Sequence, residues 1–454
     1  MTALSSGDQL PQIVAAPPGP RSRQLAQELR KYEAPNITFI SEDFPVFWRE
    51  ALGANVLDVD GNIYIDLTAG FGVAAAGHRN TAVSETLRQQ LSRLQHGLGD
   101  VHPPHIKVKL LKRLSQITPP PLTRSILASS GAEAVEAALK TARLASGRPG
   151  VIRFSGAYHG LTYGALSLAD RDHFRAPFED QLGIPTLRAP FPDPFRPPEP
   201  LKDESDVGRA ALEWLDLRLD SAQGETIGAI IVEPIQGRGG VVVPSDGFLT
   251  GLRELSDRRG LTLIFDEILT GFGRTGRWFA CEHEVVVPDI LCIGKALTGI
   301  LPFSACIGRP ATMDAWPVSS GEAIHTSTFL GHPLGCAAAL AQIEHIKARR
   351  LIARSARIGE IAFRELGELR GQFGVGDVRG RGLLIGLDIV TDAGAREPDP
   401  QRAQAIVNCA LRQGLLFTAG GTHGNVLTLT PPLNISEEQL GFSIQLIKDC
   451  LAAD

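Results

Sequence analysis

The chain has 454 residues, 43% of them hydrophobic, which is enough to bury a sizeable core and to form two domains. Its 45 basic and 50 acidic residues nearly balance, for a net charge of -5, and no long run of one sign occurs. Nothing in this composition indicates nucleic acid or a charged membrane as a partner, so a small-molecule ligand is favoured.

Cysteine usage and the N-terminus suggest a compartment. The six cysteines are scattered without a Cys-x-x-Cys pair, and the first 24 residues lack the apolar core of a signal peptide. No apolar stretch approaches the ~18 residues of a membrane span. We therefore expect a cytoplasmic protein with reduced thiols.

The N-terminal part predicts a loose leader, a short charged helix and a hairpin. The helix is expected at Gln24–Arg30. The hairpin is expected at 55–58 and 63–66, because the dipeptide Asp60-Gly61 between two apolar runs is the strongest short-range hairpin signal.

Between about residue 82 and residue 308, helical patterns alternate with short apolar runs, which predicts a parallel sheet covered by helices on both faces. The runs are Arg124–Ser129, Gly150–Phe154, Ile227–Glu233, Leu261–Asp266, Asp289–Lys295 and Phe303–Ile307. The proline-rich stretch Ala189–Pro200 interrupts them, as an ordered surface loop or crossover that most simply acts as a spacer. After Pro333, a segment of helices and few strands predicts a smaller α+β domain.

Two of these runs end in an acid and an amine of complementary chemistry. One ends in Asp266, with Glu267 after it, and the other ends in Lys295. Strands of one α/β sheet present such residues along its carboxyl edge, where open α/β sheets bind ligands. An aldehyde-trapping lysine and an acid under a pyridine nitrogen are what pyridoxal 5'-phosphate requires. The alternative is a salt bridge for each residue, which could join the two to each other.

Two further segments follow predicted strands. Ser129–Glu136 begins a helix with small residues, and its free N–H groups and positive dipole end suit a phosphate. A simple serine N-cap is the alternative. In Phe154–Gly160, Tyr158 offers a flat face for stacking on a planar ring, although packing would also explain it.

Two other motifs point to ligands that we reject. Gly271–Gly276 matches the letters of the dinucleotide fingerprint, but it starts after a five-residue extension, Asp266–Thr270, and no tight helix start follows it. His102 and His105 form a pair, yet no cluster of Cys, Asp or Glu with ligand spacing accompanies them. We therefore predict neither nicotinamide or flavin binding nor a metal site.

Two segments resemble the signature of class III pyridoxal-phosphate-dependent aminotransferases of fold type I, a family that includes amino acid racemases and epimerases. They are Leu263–Gly276 and Pro288–Gly299. The resemblance covers most of the chain, with shorter matches at Pro18–Arg23, Asp58–Asn62, Ser130–Glu133, Gly156–Gly160, Glu233–Gly237, Thr326–Phe329 and Thr430–Leu433.

The resemblance implies an α/β fold in which a large cofactor-binding domain contains a mostly parallel, seven-stranded sheet. With this division, residues 76–332 form the large domain and residues 333–454 form a small α+β domain. Residues 1–75, which hold the leader, helix and hairpin, contribute to the small domain.

The resemblance also implies roles for individual residues. Lys295 would form a Schiff base with the cofactor and shuttle the proton, and Asp266 would hold the pyridine nitrogen. Ile268 and Tyr158 would enclose the ring from opposite faces. Catalytic roles therefore fall on Lys295, Asp266 and Tyr158.

The phosphate and the subunit interface are assigned in the same way. Gly131 and Ala132 would bind the phosphate through their backbone, and Thr328 would reach the cofactor phosphate of the other subunit of a homodimer. The implied cofactor-binding residues are Ser130, Gly131, Ala132, Tyr158, His159, Glu233, Asp266, Ile268, Lys295 and Thr328.

Departures from the family pattern concern the substrate. Thr428 stands where members that act on α-amino acids or 2-oxoglutarate usually carry an arginine, so Glu233, often that arginine's partner, is free to meet an amine or hydroxyl. Leu269 replaces a frequent glutamine, which leaves the partner of the cofactor's ring hydroxyl open. Arg379 or Arg381 are candidates to replace the missing arginine.

We predict an aminotransferase that moves an amino group from an amino acid or amine to a keto acid or aldehyde, with Lys295 moving the proton in both halves. An amino acid racemase or epimerase is the alternative, because members of that type also lack the arginine and share the loop found here at Pro192–Pro197. A cofactor-binding protein without turnover is a third possibility, against which the intact Lys295, Asp266 and Tyr158 argue.

Overall fold

The computed structural model describes residues 4–453 except 203, 393 and 395. The strands are β1 (Trp48–Leu52), β2 (Asn55–Asp58), β3 (Ile63–Asp66), β4 (Arg124–Ala128), β5 (Gly150–Phe154), β6 (Thr186–Ala189), β7 (Ile227–Val232), β8 (Thr262–Asp266), β9 (Ile290–Ile293), β10 (Ser304–Gly308), β11 (Val375–Arg381), β12 (Leu384–Asp392), β13 (Glu397–Pro398), β14 (Leu415–Leu416), β15 (Thr418–Gly420) and β16 (Val426–Leu429).

The helices alternate with these strands through the middle of the chain. They are α1 (Pro20–Tyr32), α2 (Ala69–Gly72), α3 (Thr81–Leu91), α4 (His105–Ile117), α5 (Gly131–Ser146), α6 (Tyr163–Leu168), α7 (Asp172–Arg175), α8 (Val207–Leu219), α9 (Ala222–Glu225), α10 (Phe248–Arg259), α11 (Pro310–Met313), α12 (Pro333–Ala348), α13 (Leu351–Gly367), α14 (Pro400–Arg412) and α15 (Glu437–Ala452).

The large sheet has seven strands in the order β4-β10-β9-β8-β7-β5-β6. The strands from β9 to β6 are parallel, whereas β10 is antiparallel to both of its neighbours. The prediction of a mostly parallel seven-stranded sheet is confirmed. The sequence patterns missed β6, because this edge strand is buried at only two of its four positions and lacks a continuous apolar run.

Helices cover both faces of this sheet. Strands β7 and β8 are buried at every position, and successive residues face opposite sides. Ile231 and Ile264 belong to the core cluster that contains the alanines of α5, whereas Ile230 and Leu263 belong to the cluster that contains the leucines of α10. The site at the carboxyl edge therefore rests on a sheet that is packed from both sides.

The N-terminal hairpin and the C-terminal part share a sheet. β2 and β3 pair antiparallel around the predicted turn, and β14 joins β3 in parallel, which gives the order β1-β2-β3-β14. A further antiparallel sheet has the order β11-β12-β16-β15, with β13 paired to β12. Helix α12 packs against α3 and α4. The division into 1–75, 76–332 and 333–454 stays a prediction.

The proline-rich stretch Ala189–Pro200 does more than separate two elements. Arg196 in this loop donates two hydrogen bonds to Asp388 of β12, at 2.8 and 3.1 Å. The guanidinium groups of Arg196 and Arg396 lie 5.3 and 5.1 Å from the ring centroid of Phe195. The loop thus fastens the edge of the large sheet to the C-terminal sheet, and its interpretation as a spacer is wrong.

The cysteines give a second correction. Cys409 on α14 and Cys450 on α15 form a disulfide, so the expectation of reduced thiols is wrong for this pair. They are 41 residues apart in the sequence, and only the packing of the two helices brings them together. The other four cysteines are free and buried. Of the helices in the described ranges, none has the length and apolar character needed to cross a membrane.

Candidate active site

Asp266 and Lys295 lie at the carboxyl ends of two neighbouring parallel strands. Asp266 is the last residue of β8 and pairs in register with Cys292 of β9. Lys295 comes two residues after Ile293, the end of β9, in a short turn where its φ is +40°. The lysine is therefore beyond its strand rather than on it. A non-glycine residue in this conformation is strained, as functional residues often are.

The amine of Lys295 is half-buried and has no hydrogen-bond or ion-pair partner within the described ranges. Burial lowers the pKa of the Lys295 amine, and the positive charges of Arg238 and Arg274 lower it further. The negative charges of Asp266 and Glu233 raise it, but by less. A lowered pKa increases the neutral, nucleophilic fraction of the amine near neutral pH. Among the described residues, Asp266 and Lys295 do not form the direct salt bridge that was the alternative explanation.

Asp266 has other partners. The residue is only 4% exposed, and its Oδ2 lies 2.7 Å from Nδ1 of His159 while its Oδ1 accepts the backbone N–H of Ile268 at 3.1 Å. Because a carboxylate only accepts hydrogen bonds, we assign the imidazole proton to Nδ1. The buried Nε2 of His159 has no partner among the described residues. His159 thus holds Asp266 in position from behind.

The start of α5 forms a candidate phosphate cradle. The Ser130 side chain accepts the N–H of Glu133 at 3.2 Å, and the Glu133 carboxylate accepts the N–H of Ser129 at 2.7 Å. Within the described chain, the N–H groups of Gly131 and Ala132 have no acceptor. Helix N-termini with free N–H groups bind anions, so these two groups are available to a phosphate.

Close packing around the cradle requires small residues. A Cβ on Gly131 would lie 2.9 Å from Cδ1 of Ile268, and one on Gly160 would lie 2.6 Å from Cβ of Ala132. Ile268 also borders Gly294, with its Cγ2 3.4 Å from the Cβ position of that glycine. Together with the partnerless amine of Lys295 and the acid at the next strand end, this arrangement fits pyridoxal 5'-phosphate.

Tyr158 directly precedes His159, the residue that holds Asp266. It is half-buried, and its ring lies edge-on to Phe174 with 5.8 Å between centroids. The guanidinium carbon of Arg238 lies 4.5 Å from the centroid of the Tyr158 ring. The sequence patterns missed Arg238, although an arginine between glycines just after a strand end was a usable signal.

Glu233 follows β7 and is 7% exposed. Its carboxylate accepts the backbone N–H groups of Tyr158 at 3.1 Å and Gly237 at 2.9 Å, and no cation among the described residues forms an ion pair with it. Burial raises its pKa to about 7; the charge of Asp266 adds to this shift and that of His159 opposes it. Near neutral pH the group therefore exists in both protonation states.

The comparisons with known proteins agree with this site. The family model for Aminotransferase class-III matches residues 39–451. The chain belongs to the class III aminotransferase family. It is 36% identical over 454 residues to a 4-aminobutyrate aminotransferase of Mycobacterium leprae (strain TN), covering 99% of both chains. It is also 32% identical over 446 residues to an alanine/serine racemase of Pyrococcus horikoshii, covering 97% of this chain and 92% of the relative.

A solved structure shows the same fold. An amine transaminase from an uncultivated Pseudomonas species, in its PLP-bound form, matches with a TM-score of 0.85 and 30% identity, covering 93% of this chain and 98% of the other. The predictions of fold, cofactor and enzyme class are confirmed. This class III aminotransferase is a pyridoxal-phosphate-dependent enzyme that acts on small molecules.

The substrate side of this class III aminotransferase lacks the expected arginine. Thr428 in β16 is half-buried, and its hydroxyl donates to the Val426 carbonyl at 3.4 Å. The two candidate replacements are held elsewhere. Arg379 pairs with Asp388 at 2.9 Å, and Arg381 pairs with Asp246 at 3.1 Å.

Leu269 places an apolar side chain beside the lysine. A Cβ on Gly72 would lie 2.9 Å from Cδ1 of Leu269 and 3.9 Å from Cδ of Lys295. A Cβ on Gly237 would lie 2.3 Å from Cδ2 of Leu269. The amide that a glutamine would supply at this position is therefore replaced by a hydrocarbon surface.

Two other predicted residues lie away from the cluster. Glu267 is fully buried and accepts from the backbone of Ala280 and Cys281 and from the hydroxyl of Thr270, at 2.5, 2.8 and 2.8 Å, so it stabilises the following turn. Thr328 is exposed, and its contact with a second subunit stays a prediction.

Proposed function

We propose that this class III aminotransferase moves an amino group between an amino acid or amine donor and a keto acid or aldehyde acceptor, with Lys295 as the residue that binds the cofactor and moves the proton. The observation that carries the proposal is the pair at the strand ends: a partnerless, half-buried amine at Lys295 beside an acid at Asp266 that His159 supports.

Each residue has a separate task. When bound, pyridoxal 5'-phosphate supplies a protonated pyridine ring that withdraws electrons from the substrate carbon. Asp266 keeps the proton on the pyridine nitrogen, because an adjacent carboxylate favours the charged form of the ring. The Lys295 amine takes the proton from the amine-bearing carbon of the substrate and releases it to a different carbon, so that the substrate leaves as a carbonyl product. Its lowered pKa keeps more of the amine in the neutral form that can take the proton.

The remaining residues hold the cofactor's phosphate and enclose its ring. We assign the phosphate to the N–H groups of Gly131 and Ala132 at the α5 start that Ser130 caps, and the two faces of the ring to Ile268 and Tyr158. Their support is the close packing of the cradle and the position of the Tyr158 ring. His159 positions Asp266, and Glu233 faces the substrate side.

A homodimer and a cytoplasmic location are parts of the same proposal. The homodimer would place Thr328 at the cofactor phosphate of the other subunit. The exposure of Thr328 in the single chain leaves this residue accessible to a second copy.

A racemase or epimerase is the second candidate. It is favoured by Thr428 at the arginine position and by the Pro192–Pro197 loop, and the alanine/serine racemase of P. horikoshii shows that related chains carry that activity. Racemisation uses the same lysine and acid but returns the proton to the same carbon without a keto acid.

One experiment separates the two. The purified protein is mixed with single L-amino acids and no keto acid, while the absorbance of the cofactor's amine form and the optical rotation are followed. Conversion to the amine form with one carbonyl product per site supports transamination, and loss of rotation without it supports racemisation. If borohydride fixes no cofactor to Lys295, the role assigned to that residue is wrong.

A further inference from the structure

Arg238 carries a positive charge at the candidate active site, and the proposed function gives it no task. Arg238 lies in the Gly237–Gly240 loop after β7, its side chain is exposed, and its guanidinium carbon is 4.5 Å from the ring centroid of Tyr158 and 5.7 Å from that of Phe174. In the part of the chain that the structure describes, no carboxylate forms an ion pair with it. The guanidinium is thus oriented by two aromatic rings and keeps its hydrogen-bond donors available.

The backbone of this loop is fixed, so the side chain starts from a defined place. Arg171 donates to the carbonyl of Arg238 at 3.1 Å, and Arg379 donates to the carbonyl of Gly240 at 3.0 Å. Just before Arg238 in the sequence, the N–H of Gly237 donates to the carboxylate of Glu233. Side chains on a fixed backbone lose less entropy when they bind a ligand.

Arg238 also shares the environment of Lys295, because its charge contributes to the lowered pKa of that amine. Three other arginines are less available. Arg379 and Arg381 pair with carboxylates, and Arg274, whose Nη1 donates to the carbonyls of Leu383 and Pro431, is only 1% exposed, although its Nη2 has no partner among the described residues. Arg238 is therefore the cation that an incoming anion meets beside the lysine.

We propose that Arg238 binds the carboxylate of the amino donor and of the keto acid acceptor, in place of the arginine that Thr428 does not supply. The guanidinium offers a planar pair of donors that matches a carboxylate, and Tyr158 holds its plane. The inference rests on the proposed function and narrows its substrates to amino acids and keto acids, as opposed to amines without a carboxylate.

The test compares Arg238→Leu, which removes the charge, with Arg238→Lys, which keeps it, and with Arg218→Leu as a matched control at an exposed arginine that lies over the ring of Trp214. Isothermal titration calorimetry of the holoenzyme with butyrate measures carboxylate binding without turnover. Half-saturation concentrations for L-alanine and 4-aminobutyrate are compared with that for 1-phenylethylamine, which has no carboxylate.

We expect Arg238→Leu to weaken butyrate binding and raise the half-saturation concentrations of the two amino acids by roughly 10-fold or more, with 1-phenylethylamine within about twofold of wild type. Arg238→Lys should lose less affinity for the carboxylate than Arg238→Leu, and Arg218→Leu should match wild type.

Three results would overturn the inference. In the first, wild type fails to bind butyrate in the calorimeter, and in the second, Arg238→Leu binds it as well as wild type does. In the third result, Arg238→Leu raises the half-saturation concentration of 1-phenylethylamine as much as those of the two amino acids. The last result would give Arg238 a structural role. A failure of the proposed function looks different, because the cofactor would then not be linked to Lys295 in wild type.

Discussion

The proposed cofactor half and the proposed substrate half of the candidate active site are positioned by different kinds of structure. We assign Ser130, Gly131, Ala132, His159, Asp266 and Lys295 to the cofactor half, and Glu233, Arg238, Leu269 and Thr428 to the substrate half. Asp266 ends β8, Lys295 follows β9 and Gly131 begins α5, all on the large sheet. Arg238 lies in a loop, and Thr428 comes from the C-terminal sheet. In the function that we propose, rigid strand ends position the groups that carry the chemistry, whereas a loop and a second sheet position the groups that select the substrate.

The two halves also differ in how their carboxylates are supported. Asp266 has an imidazole and a backbone N–H as donors. Glu233 has two backbone N–H groups and no cationic partner in the described ranges, and burial raises its pKa to about 7. An ion-paired glutamate would not show this shift, so the lack of a cationic partner among the described residues leaves burial to set the pKa of Glu233.

The largest effect is expected at the lysine. Lys295→Ala should abolish the covalent link to the cofactor and lower turnover by at least about 1,000-fold, because the nucleophile and the proton carrier are lost together. Mass spectrometry after borohydride treatment and single-turnover kinetics measure both losses. Lys202→Ala, at an exposed lysine, is the control. Retention of the covalent link by Lys295→Ala would place the chemistry on another lysine.

Asp266→Asn should lower turnover by about 100-fold, because an amide cannot hold a proton on the pyridine nitrogen as a carboxylate does. Steady-state rates and the visible spectrum of the bound cofactor measure this effect. Asp257→Asn, at a surface aspartate paired with Arg253, should behave like wild type. Equal rates for the two variants would remove Asp266 from the mechanism.

Glu233→Gln tests the substrate half through stability. The folded-state pKa of Glu233 is about 7 against an ordinary value of 4.5, so the stability that its protonated form provides is full below pH 4.5 and is lost as the pH rises to 7. Relative to wild type, the glutamine variant should therefore gain about 3 kcal/mol over that range.

Urea unfolding of the cofactor-free protein between pH 4.5 and pH 8 measures this difference in slope. Glu437→Gln, at an exposed glutamate paired with Arg357, serves as the control and should show no comparable gain. Parallel curves for wild type and Glu233→Gln would mean that Glu233 has the same pKa in the folded and the unfolded protein.

The smallest effect is expected from giving Glu233 in the substrate half a side-chain partner, as His159 is for Asp266 in the cofactor half. Thr428→Arg should give Glu233 a cationic partner, lower its pKa, and lower the half-saturation concentration for L-alanine by about 10-fold. Thr418→Arg, at an exposed position on the paired strand, is the control. If both variants change nothing, the 428 side chain does not reach the substrate.

Sequence patterns located the strongest features and missed those that depend on long-range packing. Asp266 and Lys295 were found because continuous apolar runs mark buried strands. β6 lacked that run, and the antiparallel direction of β10 has no local signal. The pairing of His159 with Asp266 joins residues 107 apart, and the disulfide joins residues 41 apart, so neither could be found from spacing.

The sequence by itself determined the chemistry: an acid and an amine at the ends of apolar runs, a helix start made of small residues, and a family signature around them. These are local patterns, and local patterns fix the order of strands and helices. Only the tertiary structure decided which charges were paired. It tied Arg379 and Arg381 to carboxylates, left Glu233 without a cation among the described residues, and left Arg238 exposed over Tyr158. Pairing is settled by distance in space, which a linear sequence does not contain.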